Sequence, residues 1–221
     1  MDIKKRLENK CYNFVASDER YAKKTIRHGG SIAVFFDDKV VLFIDKIEDF
    51  SMDEINTIKS SKHICGDYQT LKMLGYCDSQ LDLGELLITE KRYNDNDSII
   101  CKTNEELLQA NNICIEAEIA NKNDEQNLLN NFKIGKVIVA LYKHNNEPCG
   151  TACVNFINDK MIIGGVATSL KYRGKGYGKL ALEKVLHTVN SDCYLFVCNP
   201  IALNMYKSMG FYTICTWGRV L

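Results

Sequence analysis

The spacing of apolar positions changes repeatedly along the chain, and each change marks an element. Up to about residue 27, Ile3, Leu7, Cys11, Phe14 and Val15 fall at helical spacing with charges between them. That pattern predicts one or two helices ending near His28-Gly29-Gly30. Ser31 to Phe36 and Lys39 to Ile44 are β-rich runs separated by Asp37-Asp38, a predicted hairpin. Ser51-Met52-Asp53-Glu54 is a capping box opening a helix from Ile55 to Ser60. His63 to Gly66 reads as a short strand, Tyr68 to Leu74 as a helix with Asp67 as its cap, and Glu85 to Thr89 as a further strand.

The polar stretch Tyr93-Asn94-Asp95-Asn96-Asp97-Ser98 is the best boundary, dividing the chain into residues 1–97 and 98–221. Beyond it, Ile99 to Lys102 predicts a strand, and Thr103-Asn104-Glu105-Glu106 is a second capping box before a helix through Ile113. Asp124 to Phe132 predicts another helix. Val137 to Lys143, Cys149 to Phe156 and Met161 to Ala167 predict an antiparallel meander, with turns at Asn145-Asn146 and Asn158-Asp159. A helix follows from Leu180, a buried strand from Cys193 to Cys198, a helix from Pro200 and a closing strand. The fold class expected is mixed α/β: a mostly antiparallel sheet flanked by helices, with a smaller α/β domain at the N-terminus.

Composition narrows the class. The chain has 221 residues, 46% of them hydrophobic, enough for a sizeable core. Net charge is formally zero, so nothing electrostatic argues for nucleic acid or an anionic membrane. No apolar run is long enough to span a bilayer. The charged start, Met1-Asp2-Ile3-Lys4-Lys5-Arg6, lacks the apolar core of a secretory signal. Ten cysteines show neither Cys-x-x-Cys spacing nor a His-x-x-x-His partner, so reduced thiols in a cytoplasmic protein are expected, with no metal. Abundant Lys, Asn and Ile with two prolines suggest an AT-rich bacterial genome.

One stretch carries chemistry. Tyr172-Arg173-Gly174-Lys175-Gly176-Tyr177-Gly178-Lys179 lies between the third meander strand and a helix. Glycines let backbone N–H groups approach a ligand, and a helix N-terminus aims unpaired N–H groups and positive potential at the same place. Arg173, Lys175 and Lys179 add cations, so the device suits phosphate. It is not a P-loop, because Gly178-Lys179 precedes Leu180 rather than a hydroxyl residue, and Lys179 breaks a dinucleotide fingerprint. The pattern that remains is Arg/Gln-x-x-Gly-x-Gly/Ala, met by Arg173, Gly176 and Gly178.

That hexamer resembles the pyrophosphate loop of the GNAT superfamily of N-acetyltransferases. Asn199-Pro200, followed by a helix with Tyr206 and then Gly210-Phe211, is similar to the second half of the same family's cofactor site. The element order from Ile99 to Leu221 also resembles the GNAT fold, and the first half is compatible with a degenerate GNAT-like domain walling the acceptor cleft. The resemblance implies acetyl-CoA as cosubstrate, an amine acceptor and direct transfer between them. It further implies that Val166, Ala167 and Thr168 offer backbone contacts to the acetyl and pantetheine groups. The pyrophosphate would be held by Arg173, Gly174, Lys175, Gly176, Tyr177, Gly178 and Lys179.

Gly164-Gly165 marks a bulge or a simple packing accommodation in the strand before the loop. The resemblance makes Tyr206 the general acid for the leaving thiolate, against a core tyrosine, and makes Asn199 a pantetheine contact, against a plain helix cap. No base is identifiable: Glu116, Glu118 and Glu147 read as solvated charges, and His28, His63, His144 and His187 are dispersed. A non-catalytic acyl-CoA-binding module is the alternative function. Neither the acceptor nor the oligomeric state is legible, a homodimer being one option.

Overall fold

The computed structural model describes residues 10–16, 19, 22–157 and 160–221. In chain order the elements are helix α1 (10–16), strands β1 (Lys24–His28), β2 (Ser31–Phe35) and β3 (Lys39–Phe43), helix α2 (Met52–Lys59), strand β4 (His63–Asp67), helix α3 (Tyr68–Met73) and strand β5 (Leu81–Thr89). Then come β6 (Ile99–Ile100), α4 (Asn104–Glu116), α5 (Glu125–Lys133), β7 (Val137–His144), β8 (Glu147–Ile157) and β9 (Lys160–Thr168). The chain finishes with α6 (Tyr177–Val189), β10 (Cys193–Val197), α7 (Pro200–Met209) and β11 (Tyr212–Val220).

One expectation fails. Residues 24–28 were expected in a helix, but they form β1, paired antiparallel with β2 from Lys24↔Phe35 to His28↔Ser31. Helical spacing ends within α1. The β-branched Thr25 and Ile26 suit a strand, and Gly29, at φ +54°, makes the two-residue turn that a helix end would otherwise explain. The part of that expected helix on residues 1–9, and the turn at Asn158-Asp159, lie outside the described residues.

By contacts the chain divides into two compact units. The first contains residues 1–89, 157–160 and 196–221. Its strands run in the order β1-β2-β3-β4-β11-β5, antiparallel at every junction but β3–β4. The core beneath it includes Val40, Leu42, Ile58 of α2 and Leu71 of α3. Ser51 closes a reciprocal capping box on α2, and the Asp67 carboxylate accepts from the Gln69 and Thr70 N–H groups to start α3. In the same unit the thiol of Cys11 donates to Cys215 Sγ at 2.7 Å, and Phe14 meets Trp217 edge-on.

The second unit contains residues 90–156 and 161–195. Its strand order is β10-β9-β8-β7-β6, with β6–β7 and β7–β8 antiparallel and β9–β10 parallel. Val137, Val139 and Leu141 alternate onto one face of β7 and pack with Leu107, Ala110 and Ile113 of α4. From the opposite face, Tyr142 stacks on Tyr177 at the start of α6. Thr103 and Glu106 form the second capping box, and Asn145-Asn146 turn β7 into β8 with φ of +50° and +63°.

Candidate functional site

The second unit gathers the glycine loop, the end of β9 and the start of α6. Parallel pairing of β9 with β10 covers only Met161↔Cys193 and Ile162↔Tyr194. From Ile163 onward β9 is outside that register, and Gly165 adopts φ +58°, which breaks regular strand geometry. A side chain at Gly165 would also stand 3.2 Å from Cys153 Sγ. Val166 and Thr168 are half-buried and Ala167 is buried.

A single turn of 3-10 helix, Leu170–Tyr172, leads into the exposed residues 173–176. Gly174 and Gly176 take φ +77° and +79°, conformations that a Cβ would strain, and Gly176 is the N-cap of α6. No side chain of the cap bonds the helix start. The Gly178 N–H donates to Thr168 Oγ1 at 3.0 Å, which ties the helix start to the end of β9. Close seating is enforced from below. A Cβ at Gly150 of β8 would lie 2.4 Å from the Tyr177 carbonyl carbon, and one at Gly178 would lie 2.8 Å from Ala167 O.

The cations differ in their engagements. Lys171 donates to Glu147 at 2.9 and 3.0 Å, and Lys179 lies 3.8 Å from Glu183 one turn along α6. Lys175 Nζ sits 5.3 Å from the Tyr172 ring centroid. Arg173 is exposed and has no side-chain partner among the described residues.

Sequence reasoning missed the aromatic floor of the loop. Tyr177 stacks on Tyr142 and His144, at 4.8 and 5.4 Å between centroids, and Tyr172 leans on both Tyr177 and His144. The Tyr172 hydroxyl donates to Glu147 at 2.5 Å. That bond and the Lys171 bonds hold the Glu147 carboxyl below the usual carboxylate range. Glu116, another acid considered as a base, accepts the Leu170 N–H at 3.1 Å. Only the alternation of β7, which puts Tyr142 and His144 on one face, hinted at this cluster.

Asn199 and Tyr206 lie on and beside α7, in the first unit. Asn199 is the N-cap, its Oδ1 accepting from the Ile201 and Ala202 N–H groups at 2.9 and 3.2 Å, with Pro200 at the first helical position. Tyr206 is buried against Phe211, ring centroids 5.6 Å apart. Burial pushes its phenol up to about 12, so it stays protonated at neutral pH. Its hydroxyl has no hydrogen-bond partner among the described residues.

Among the described residues no group of three or more His, Cys, Asp or Glu side chains could hold a metal ion. No helix among them is long and apolar enough to cross a membrane.

Comparison with known proteins places this geometry. A family model described as "Acetyltransferase (GNAT) family" matches residues 104–211. A search of curated proteins found no significant match. Among solved structures the chain is similar to a GCN5-related N-acetyltransferase from Kribbella flavida, with TM-score 0.69 and 14% identity over 95% of this chain and 94% of that one. It is also similar to a GNAT-family acetyltransferase from Colwellia psychrerythraea, with TM-score 0.60 and 11% identity over 98% and 94%. A third likeness is to a tandem GNAT protein from the clavulanic acid biosynthesis pathway, with TM-score 0.55 and 9% identity over 88% and 80%. At such identities these likenesses speak for fold alone, whereas the family model speaks for the sequence: residues 104–211 match the GNAT family of acetyltransferases.

Proposed function

We propose that the protein transfers an acetyl group from acetyl-CoA to a primary amine by direct attack, with no acyl-enzyme. One observation carries the reading: the N-cap residue Gly176 offers no side chain to the start of α6, two left-handed glycines lie in front of the helix, and Arg173 beside them lacks a side-chain partner among the described residues. Backbone N–H groups there, with Arg173, Lys175 and Lys179, would hold the pyrophosphate. Val166, Ala167 and Thr168 would hold the pantetheine arm and acyl carbonyl, since β9 leaves its parallel pairing just before them. The Val166 N–H would stabilise the oxyanion that forms on attack.

Tyr206 is the proposed acid. As the carbon–sulfur bond breaks, its phenol, protonated at neutral pH, would give a proton to the departing thiolate, while the proton shed by the attacking amine would leave through water. Asn199 would offer its amide N–H₂ to the pantetheine while its oxygen caps α7. We further propose residues 98–221 as the transferase domain and residues 1–97 as a degenerate, supporting half.

One observation favours a non-catalytic acyl-CoA-binding module: Glu116 and Glu147 are both engaged and not free to act as a base. Tyr206→Phe separates the two readings. The enzyme reading expects acetyl-CoA binding to persist while turnover on an amine panel, read by product mass, falls on the order of 10²-fold or more. Wild-type protein that binds acetyl-CoA and acetylates no amine would leave the binding module.

A further inference from the structure

Beside the Gly165 backbone, within the second unit, is a cavity of about 180 Å³ walled by Asn111 and Cys114 of α4, Leu128 of α5, Val139 of β7, Cys153 of β8 and Gly165 of β9. Among the described residues no acidic or basic side chain lines it. Desolvation pushes Cys114 up to about 12 and Cys153 up to about 11, so both thiols are neutral at physiological pH. The Cys114 thiol is already spent on Gly165 O at 3.5 Å, and the Thr151 hydroxyl on Ala140 O at 3.1 Å.

Asn111 is the exception. It is only 5% exposed and lines the cavity, yet its Nδ2 has no hydrogen-bond partner among the described residues. Buried amides are nearly always satisfied, so a donor left open at an apolar cavity points to an absent acceptor atom.

Resting on the acyl-transfer reading, we propose that this cavity is a specificity subsite for a compact, uncharged, apolar group that presents a hydrogen-bond-accepting oxygen to Asn111. Gly165 precedes Val166, the residue assigned to the acyl carbonyl, so that group belongs to one of the two reacting partners. It enters either as an acyl chain longer than acetyl or as the apolar side of the amine. A polycationic amine does not match, because no carboxylate among the described residues faces the cavity.

The test uses the purified full chain in two arms. In the donor arm, calorimetric titration compares acetyl-, butyryl- and acetoacetyl-CoA. In the acceptor arm, acetyl-CoA is supplied with leucine amide, 3-methylbutylamine, ethylamine or spermidine, and kcat/KM is read from product mass. The expected result, in one arm, is a gain of about fourfold per buried methylene, abolished in Cys153→Phe, which fills the cavity. Asn111→Leu keeps the volume and removes the donor. It should erase the preference for acetoacetyl- over butyryl-CoA, or for leucine amide over 3-methylbutylamine, and it serves as well if Cys153→Phe does not fold. Acetyl-CoA binding with no size preference in either arm, or a preference for spermidine, overturns the subsite and leaves the acyl-transfer reading intact. Failure of every coenzyme A ester to bind overturns that reading and the subsite with it.

Discussion

Arg173 and Lys171 are two residues apart and face different situations. Lys171 is committed to Glu147, whereas Arg173 is exposed with no partner among the described residues, so its guanidinium is available to a phosphate at little desolvation cost. Arg173→Ala is therefore expected to weaken acetyl-CoA binding about tenfold, the size of one charge-assisted hydrogen bond, and to flatten its salt dependence. The melting temperature of the free protein should not move. Calorimetric titrations at two salt concentrations check this, and unchanged affinity would remove Arg173 from the account. At this scale the backbone requirements were readable, because glycine and a cation at fixed spacing announce themselves locally. The link from Tyr172 to Glu147 was not, because it joins residues 25 apart in the chain, beyond the reach of any local spacing.

Among elements, α6 depends on how closely its first turn seats on β8. Gly150→Ala would place a methyl carbon 2.4 Å from the Tyr177 carbonyl carbon, which is backbone and cannot swing aside. We expect a loss of about 1–3 kcal/mol in stability and weaker acetyl-CoA binding, measured by denaturant unfolding and titration. A Gly150→Ala protein with wild-type stability would contradict the seating. Capping boxes at Ser51 and Thr103 were legible because both halves of the device lie within four residues. β1 was not: five residues with a single buried position, Ile26, carry too little alternation to outvote the helical spacing just before them. Its identity comes from pairing with β2, which local spacing does not encode.

For the whole molecule, formal net charge is zero, so attraction for an anionic ligand has to be local rather than global. Buried thiols make stability depend on alkaline pH instead. Desolvation raises Cys101, Cys114 and Cys193 to about 12 from an ordinary 9.0, and Tyr206 to about 12 from 10.0. A raised folded value favours the protonated form, so this stability is fully present below the unfolded value and is lost as pH climbs toward the folded one. Each thiol costs about 1.4 kcal/mol per pH unit in that window, and three together approach a typical total stability of about 5–15 kcal/mol. Melting temperature should be flat from pH 7 to 8.5 and fall steeply above 9; a flat profile to pH 10.5 would contradict it. The grouping of residues 196–221 with 1–89 had no sequence signal, because it arises from β11 pairing with β4 and β5. The most direct test of the central claim is a thermal-shift series with acetyl-CoA, free coenzyme A and NAD. The account predicts stabilisation by both coenzyme A species, growing with concentration as linkage requires, and none by NAD. No shift with either coenzyme A species would make the glycine loop an ordinary turn and contradict the functional reading.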